Sequence, residues 1–376
     1  MSRTDTRERA LADAVSLDTL ARDNAEIARG VRLSGSAAEA VAFAYIADQC
    51  RSYGMDVREY SVDAYVSLPG AATLRVVSPE ARDLACITHS FSAATGPEGI
   101  AGSLIYVGKG TAAADYAGKD VRGAIVMTDG LAGSASAFAA DRAGAAGMIC
   151  VNPEGLHEMI ISPVWGTPTP ETAPSLPHLV AVSVRREDGD ALMALLTRGA
   201  VTVRLQTEVE TDWRPIPTLT AELPGTEDRF VLLSGHVDSW HYGAMDNASA
   251  NATMLEIGRI LSAHRSELRR GVRLAFWSGH SHARYGASAW YADHFFADLY
   301  EHCVCHVNAE STGGIGATNL AGAGCMAETW QFAAGPIREV TGQELTYRRL
   351  PRNGDQSFEG VGIPSALAGL SSQPEG

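Results

Sequence analysis

Three apolar runs near the C-terminal end of the chain are each followed by polar side chains that suit catalysis or metal binding. The runs and the segments that follow them are 230–233 with the His- and Asp-rich loop 235–247, 272–277 with Gly279-His280-Ser281-His282, and 303–307 with Asn308-Ala309-Glu310. Short apolar runs bounded in this way are typical of buried strands in an α/β sheet. Open α/β sheets bind ligands beyond the carboxyl ends of their strands, so we expect one site that collects all three segments.

The composition excludes several classes of protein. The 376 residues carry a formal net charge of -14, which disfavours a nucleic-acid partner because phosphate backbones recruit basic patches. The N-terminus is charged rather than apolar, and nothing approaches about 18 consecutive apolar residues, so we expect neither a secretory signal nor a membrane span. Six scattered cysteines are too few for a disulfide framework in a chain of this length. A cytoplasmic location is expected.

The rest of the chain predicts helices and strands around an inserted block. We expect one helix over 5–29, a second that opens with the capping box Ser36/Glu39 and stops at Gly54, and strands at 56–66 and 72–78. Between 81 and 207, short apolar strands alternate with Gly, Ala and Pro, and five prolines between 162 and 177 indicate a long surface loop. We interpret this block as an inserted lid or interaction domain.

His236 and Asp246 lie ten residues apart on one loop that leaves a strand, where both can reach a single metal ion. Glu310 joins them from another strand end. Imidazole and carboxylate together suit zinc or a similar divalent ion. Asp238 is placed to accept the other N–H of the His236 imidazole and fix its tautomer. The alternative is a solvated loop with a structural Asp–His pair.

These motifs resemble those of the co-catalytic zinc aminopeptidases, especially the branch that contains glutamate carboxypeptidase II and the transferrin receptor. The similar segments are His236-x-Asp238-Ser239-Trp240, Gly243-x-x-Asp246-Asn247-x-Ser249, Asn308-x-Glu310, Gly354-Asp355-Gln356-Ser357-Phe358 and Gly362-Ile363-Pro364. The resemblance implies a zinc-exopeptidase-like α/β fold, with a mixed, mostly parallel sheet between helices. It also makes 1–80 and 208–376 parts of the catalytic domain and 81–207 an inserted protease-associated (α+β) domain.

The same resemblance implies roles for the site residues. His236 and Glu310 would hold the first metal, Asp246 would bridge two metals, and Asp238 would orient His236. His280 and Ser281 stand where the family has two adjacent glutamates, a general base and a metal ligand. The family's last ligand, a late histidine, has no counterpart after His306, so either the chain is a fragment, with 208–376 incomplete at its C-terminal end, or that ligand is absent.

His280 is therefore predicted to serve as the catalytic base alongside Asp238, or to rebuild the second metal site together with His282. We expect one or two divalent ions per chain, with zinc first and manganese, cobalt or nickel as alternatives. The predicted activity is that of an aminopeptidase- or carboxypeptidase-type hydrolase, which would cleave an amide or related C–N bond in a peptide or small molecule. The resemblance also allows a homodimer.

Two hypotheses from other classes remain. In the first, the chain is a catalytically inactive binding relative of the same fold, which would not need a metal at His236, Asp246 and Glu310. In the second, Gly279-His280-Ser281-His282-Ala283 is a nucleophile elbow with Ser281 as the nucleophile of a serine hydrolase. The histidines that follow Ser281 come too soon for the triad of that fold, and Ala283 replaces its second glycine.

Overall fold

The computed structural model of the chain describes residues 3–320, 323–350 and 354–369. Its α-helices are α1 (Arg3–Asp13), α2 (Leu17–Ile27), α3 (Ala37–Ser52), α4 (Ser134–Arg142), α5 (Arg186–Arg198), α6 (Ala250–Ala263), α7 (Gly286–His294), α8 (Phe296–His302) and α9 (Trp330–Thr341). Its strands are β1 (Asp56–Ser78), β2 (Arg82–Leu84), β3 (Ile87–Thr88), β4 (Ile100–Tyr106), β5 (Ile125–Asp129), β6 (Gly147–Val151), β7 (Val180–Val184), β8 (Thr202–Leu223), β9 (Phe230–His236), β10 (Gly271–Trp277), β11 (Cys303–Ala309), β12 (Gly324–Cys325) and β13 (Ser365–Ala368). The predicted fold class, a mixed and mostly parallel α/β sheet with an additional domain, is confirmed.

The chain divides into two compact units. The first comprises Met1–Ala64, Arg214–His280 and Tyr285–Gly376, and the second comprises Tyr65–Trp213 and Ser281–Arg284. The sequence predicted an inserted block over 81–207. The main segment of the second unit begins earlier, at Tyr65 within β1, and ends later, at Trp213 within β8.

The first boundary of the second unit, between Ala64 and Tyr65, lies within the long strand β1. The sequence predicted separate strands at 56–66 and 72–78, and Pro69-Gly70 between them is a typical turn signal. In the structure the backbone stays extended throughout β1, because the fixed φ of proline is compatible with extended chain.

The sheet of the first unit positions the predicted site. Its strand order is β12-β13-β11-β9-β10-β8, and β9 is parallel to both β10 and β11. His236 at the end of β9 lies opposite Trp277 at the end of β10, and Ser234 lies opposite Asn308 on β11. The carboxyl ends of the three strands therefore meet at one edge of the sheet, as predicted.

Helices α2, α3 and α6 contribute to the core on this sheet. In α3, Phe43, Ile46 and Cys50 are buried in this core, and Ser36 caps the helix, as predicted, by accepting a hydrogen bond from the Glu39 amide. Burial of a large apolar side chain contributes about 1.5–3 kcal/mol to the free energy of unfolding.

The single helix predicted over 5–29 is wrong. The structure has α1 and α2, separated by residues 14–16. Ser16 begins the second helix, because its Oγ accepts a hydrogen bond from the Thr19 amide at 3.2 Å. A sequence rich in Ala and charged residues has high helix propensity throughout, so propensity alone did not reveal the break.

The second unit is an α/β layer of its own. Strands β4, β5, β6 and β7 are parallel neighbours, β3 is antiparallel to β7, and the first half of β8 is antiparallel to β4. Every residue of β6 and β7 is buried, as in a parallel sheet covered on both faces. The proline-rich segment 162–177 forms a loop with one short 3₁₀ turn, Ala173–Ser175. Among the described residues, the helices are too short or too polar to cross a membrane.

Candidate metal centre

Two histidines and a glutamate meet at the carboxyl edge of the first unit's sheet. Ligand atoms of His236, His280 and Glu310 all lie within 4.8 Å of one another. His236 is the last residue of β9, His280 follows β10 by three residues, and Glu310 directly follows β11. The two imidazole rings stack with their centroids 3.7 Å apart, and Nε2 of His280 lies 3.9 Å from Oε1 of Glu310. The three polar segments thus form one site.

In both imidazole rings, Nδ1 lies within hydrogen-bond distance of an acceptor oxygen. Nδ1 of His236 lies 2.9 Å from the main-chain oxygen of Asp238, and Nδ1 of His280 lies 3.0 Å from Oδ2 of Asp355. We assign the proton of each neutral ring to Nδ1 on the basis of these partners. The Nε2 lone pairs are then available to a metal ion, which is the usual arrangement of metal-binding histidines.

Asp246 lies beside His236. Its Oδ1 is 3.1 Å from His236 Nε2, and about a third of its side chain (32%) is exposed. The structure therefore brings the predicted pair together. The compact group of three nevertheless contains His280, for which the sequence analysis had left the roles of base and ligand open.

The Asp238 carboxylate has different partners from those predicted. The hydrogen bond from His236 Nδ1 goes to the Asp238 carbonyl, while the nearer carboxylate oxygen is 3.7 Å away. That carboxylate accepts hydrogen bonds from the Ser34 hydroxyl at 2.7 Å and from the His280 main-chain amide at 3.2 Å. Asp238 is fully buried and joins the turn after β9 to the turn after β10. The carboxylate therefore fixes the backbone of both histidine-bearing turns.

Glu310 is held from two sides. Asn308 Nδ2 donates to its Oε2 at 3.0 Å, and a Cβ added at Gly354 would lie only 2.7 Å from the same oxygen. Burial raises the pKa of Glu310, although the charges of His280 and His236 oppose this shift.

The pKa of His236 is raised to about 10. Burial opposes the charged imidazolium, but the hydrogen bond to Asp246 and the charges of Asp246, Asp238 and Glu310 outweigh it. The site is therefore an acidic environment that attracts cations.

A buried arginine shapes the loop that carries His236. The Arg32 guanidinium is fully buried and donates to the carbonyl oxygens of Val237 at 2.7 Å, Tyr242 at 2.6 Å, Gly243 at 3.1 Å and Ile27 at 3.1 Å. These bonds tie both ends of the loop to the segment before α3.

The family comparisons agree with the two-part architecture. Residues 218–368 match the model of peptidase family M28, and residues 100–192 match the model of the PA domain. Residues 218–368 are thus similar to M28 peptidases, and residues 100–192 are similar to PA domains. The M28 match contains every residue of the three-residue group, and the PA match lies within the second unit.

Individual relatives are distant. The chain is 25% identical over 355 residues to the probable glutamate carboxypeptidase VP8 of Zea mays, a match that covers 78% of this chain and 50% of that protein. A peptidase M28 precursor from Shewanella amazonensis has a TM-score of 0.75 at 20% identity, covering 96% of this chain and 86% of the other. A zinc aminopeptidase from Bacillus subtilis has a TM-score of 0.67 at 21% identity, covering 95% and 86%. The chain thus spans about half the length of the maize relative.

The residues of the M28 domain fit a divalent metal ion. Two imidazoles and one carboxylate form a recurrent catalytic zinc set, in which a water or substrate completes the coordination. Ligand atoms of one tetrahedral zinc lie about 3.3 Å apart at bond lengths near 2 Å. Within the group of three, His280 Nε2 and Glu310 Oε1 lie 3.9 Å apart, and all the ligand atoms lie within 4.8 Å of one another, so a small movement of the side chains brings them to this spacing.

Ser281 and His282, predicted as an additional ligand or base, belong to the unit of the PA domain. There His282 is fully buried, with Nε2 at 3.3 Å from Oε1 of Glu158. Among the described residues, the metal-binding group does not include His282. Ser281 is 1% exposed, which disfavours the nucleophile-elbow hypothesis because a nucleophile must reach its substrate.

Sequence analysis assigned no role to Asp355, Ser34 or Arg32. Of the segments that contain them, Gly354-Asp355-Gln356-Ser357-Phe358 was identified as similar to a family motif. The contacts of Asp355 with His280, Ser34 with Asp238 and Arg32 with Val237 join residues 75 to 205 positions apart in the chain, so spacing gave no signal for them.

Proposed function

We propose that the chain is a metal-dependent peptide hydrolase that binds one divalent ion, zinc, through His236, His280 and Glu310. The observation that carries this proposal is the convergence of two Nε2 atoms and a carboxylate, with both Nδ1 atoms held by acceptors. The M28 match and the zinc aminopeptidase among its structural neighbours support the class of reaction and the metal.

Each residue has a separate task in this proposal. A bound zinc ion supplies Lewis acidity and lowers the pKa of its water towards about 7. His236 and His280 orient their Nε2 atoms, and Glu310 adds negative charge. Asp246 is the carboxylate that a proton from the substrate side can reach, since 32% of its side chain is exposed. We assign to it the uptake and return of that proton. His280 then acts as a ligand instead of a base.

The substrate class follows from the family. Hydrolysis by this centre is proposed for the amide bond of a peptide, and small-molecule amides are the next class to screen. We also propose a cytoplasmic location, in keeping with six cysteines that are all unpaired in the structure. Fractionation of cells that express the full chain, followed by immunoblotting, tests the location.

The decisive experiment combines metal content with hydrolysis. Protein purified without added metal or chelator is analysed by plasma mass spectrometry and then assayed on a panel of peptides and amino-acid amides. We expect one zinc per chain and hydrolysis that a chelator abolishes. His236→Ala and Glu310→Ala should lose both properties. His264→Ala, a surface histidine paired with Glu267, is the matched control and should keep both.

Each alternative outcome has a meaning. Two ions per chain would contradict the single-ion centre. A chain that binds no metal after soaking in zinc or manganese would favour the binding relative. Hydrolysis that survives chelation but is blocked by a serine-directed phosphonate would point to Ser281.

A further inference from the structure

The orientation of His280 depends on one residue that comes from a distant segment. The ring stacks on His236 at an interplanar angle of 17°, and the ring of Tyr285 meets it edge-on with centroids 5.0 Å apart. These contacts fix the plane of the imidazole. They do not determine which nitrogen faces Glu310, because the stacked ring has a similar shape after rotation by 180° about its Cβ–Cγ bond.

Asp355 determines which nitrogen of His280 faces Glu310. Its Oδ2 lies 3.0 Å from Nδ1 of His280, and its side chain is fully buried. A carboxylate accepts hydrogen bonds and does not donate them, so this contact places the proton on Nδ1 and turns the unprotonated Nε2 toward Glu310. A flipped ring would put carbon against the buried carboxylate, which is costly.

The segment of Asp355 also touches the third member of the group. Gly354 has a φ of +62°, and the space where its Cβ would be is taken by the Glu310 carboxylate. The backbone at Gly354 therefore packs against one ligand while the adjacent side chain orients another. Both contacts come from residues that precede β13, which is parallel to β11.

We propose that Asp355 is a positioning residue for His280. By orienting the imidazole, it makes His280 a metal ligand at the position where the co-catalytic zinc aminopeptidases, which this chain resembles, have a catalytic glutamate. The inference rests on the metal centre of the proposed function, and it does not depend on hydrolysis. Carboxylates that accept from the second nitrogen of a metal-bound histidine typically strengthen metal binding by about 10–100-fold.

A double-mutant cycle on the full chain tests this role. Zinc affinity is measured by competition with a chromogenic chelator for the wild type, Asp355→Ala, His280→Ala and the double variant. We expect Asp355→Ala to weaken zinc binding by about 10–100-fold. In the His280→Ala background, the same substitution should change the affinity by less than about threefold, because the histidine that it orients is gone.

Two further variants separate positioning from folding. Asp355→Asn keeps an oxygen that can accept from Nδ1 and nearly the same volume, so it should recover part of the lost affinity. Gly360→Ala changes the same segment, adds a Cβ that meets nothing within 4 Å, and should bind zinc like the wild type.

The outcomes separate this inference from the proposed function. Wild-type affinity in Asp355→Ala, or an equal loss with and without His280, overturns the positioning role alone. A wild-type chain that binds no zinc overturns both proposals. Zinc binding with the expected coupling but without hydrolysis supports the role of Asp355 and contradicts the proposed function.

Discussion

The imidazole rings of His236 and His280 lie face to face, with 3.7 Å between their centroids and 17° between their planes. Two imidazolium rings at this distance repel each other, so the charge of His236 disfavours protonation of His280. Burial is the larger obstacle to that protonation, although Asp355 and Glu310 raise the pKa of His280 on balance. A divalent ion held by the two histidines would relieve this conflict, because both rings would bind it as neutral ligands.

Zinc binding should therefore depend on pH. The pKa of His236 is about 10 in the metal-free chain, so its proton must leave before the metal binds. Below that pKa, the apparent zinc affinity should fall by about tenfold for each unit of decreasing pH. Asp246→Asn should flatten this dependence, because Asp246 contributes most to stabilising the proton. Competition with a chelator between about pH 6 and 8 measures the slope. A zinc affinity that stays constant over this pH range would contradict the assignment of His236 as a metal ligand.

Gly354→Ala should weaken zinc binding more than it weakens the fold. The new Cβ would meet Glu310 Oε2 at 2.7 Å in a backbone conformation with positive φ. The flexible end of Glu310 can move away, which relieves the clash but displaces a ligand. Gly360→Ala is the matched control, because nothing lies within 4 Å of its added Cβ. Zinc titrations and thermal melting of both variants would distinguish the effects. Unchanged affinity in Gly354→Ala would show that the Glu310 carboxylate is not a ligand.

Arg32→Met should destabilise the first unit by about 3 kcal/mol or more, because it removes several hydrogen bonds from a buried, charged donor to main-chain oxygens of the loop 237–243. Zinc affinity should fall with it, since the loop that carries His236 loses its anchor. Arg29→Met removes only an exposed ion pair with Glu26 and should change the urea midpoint little. Equal midpoints for the two variants would argue against the anchoring role of Arg32.

Acid should destabilise the chain through a histidine of the second unit. Burial, with a smaller effect of His157, lowers the pKa of His89 to about 3. An unfolded histidine titrates near 6.5, so the unfolded state binds a proton that the folded state excludes. The contribution of His89 is complete above about pH 6.5 and is lost as the pH falls towards 3, at about 1.4 kcal/mol per unit.

His89→Gln should therefore show a smaller fall in melting temperature between about pH 7 and 5 than the wild type. The exposed His178→Gln is the control and should follow the wild type. His306, whose pKa burial also lowers to about 3, keeps part of the acid sensitivity in both variants. A fall in His89→Gln as steep as in the wild type would exclude a contribution of His89.

The sequence was most informative where local order decides the structure. Parallel strands end at one edge, so the placement of polar residues after β9, β10 and β11 sufficed to predict that His236, His280 and Glu310 meet. The capping box likewise located α3, and the apolar runs located β9, β10 and β11. The break between α1 and α2 was missed, because it depends on a short segment whose helix propensity differs little from its surroundings.

The remaining features of the site depend on long-range contacts. The sequence leaves the role of His280 open between base and ligand, and it gives no signal for the contact of its Nδ1 with Asp355, which lies 75 residues away. The Asp238 carboxylate was expected to bind His236, but it faces Ser34 and the His280 amide instead. The sequence pattern cannot show whether His236 Nδ1 donates to the main-chain oxygen or to the carboxylate of Asp238.

The hydrogen bonds from Arg32 to the loop 237–243 determine which residues of the loop can be substituted. The hydrogen bonds of its guanidinium to 237–243 go to main-chain oxygens, which every amino acid supplies, whereas its main-chain amide donates to the Ser239 hydroxyl. The loop can therefore exchange an outward side chain such as Tyr242, which is 62% exposed, while its backbone path is inherited unchanged. Gly243 is the exception, because an added Cβ would lie 2.4 Å from the Asp246 carbonyl. A substitution at such an outward position would leave the backbone that leads from His236 in place.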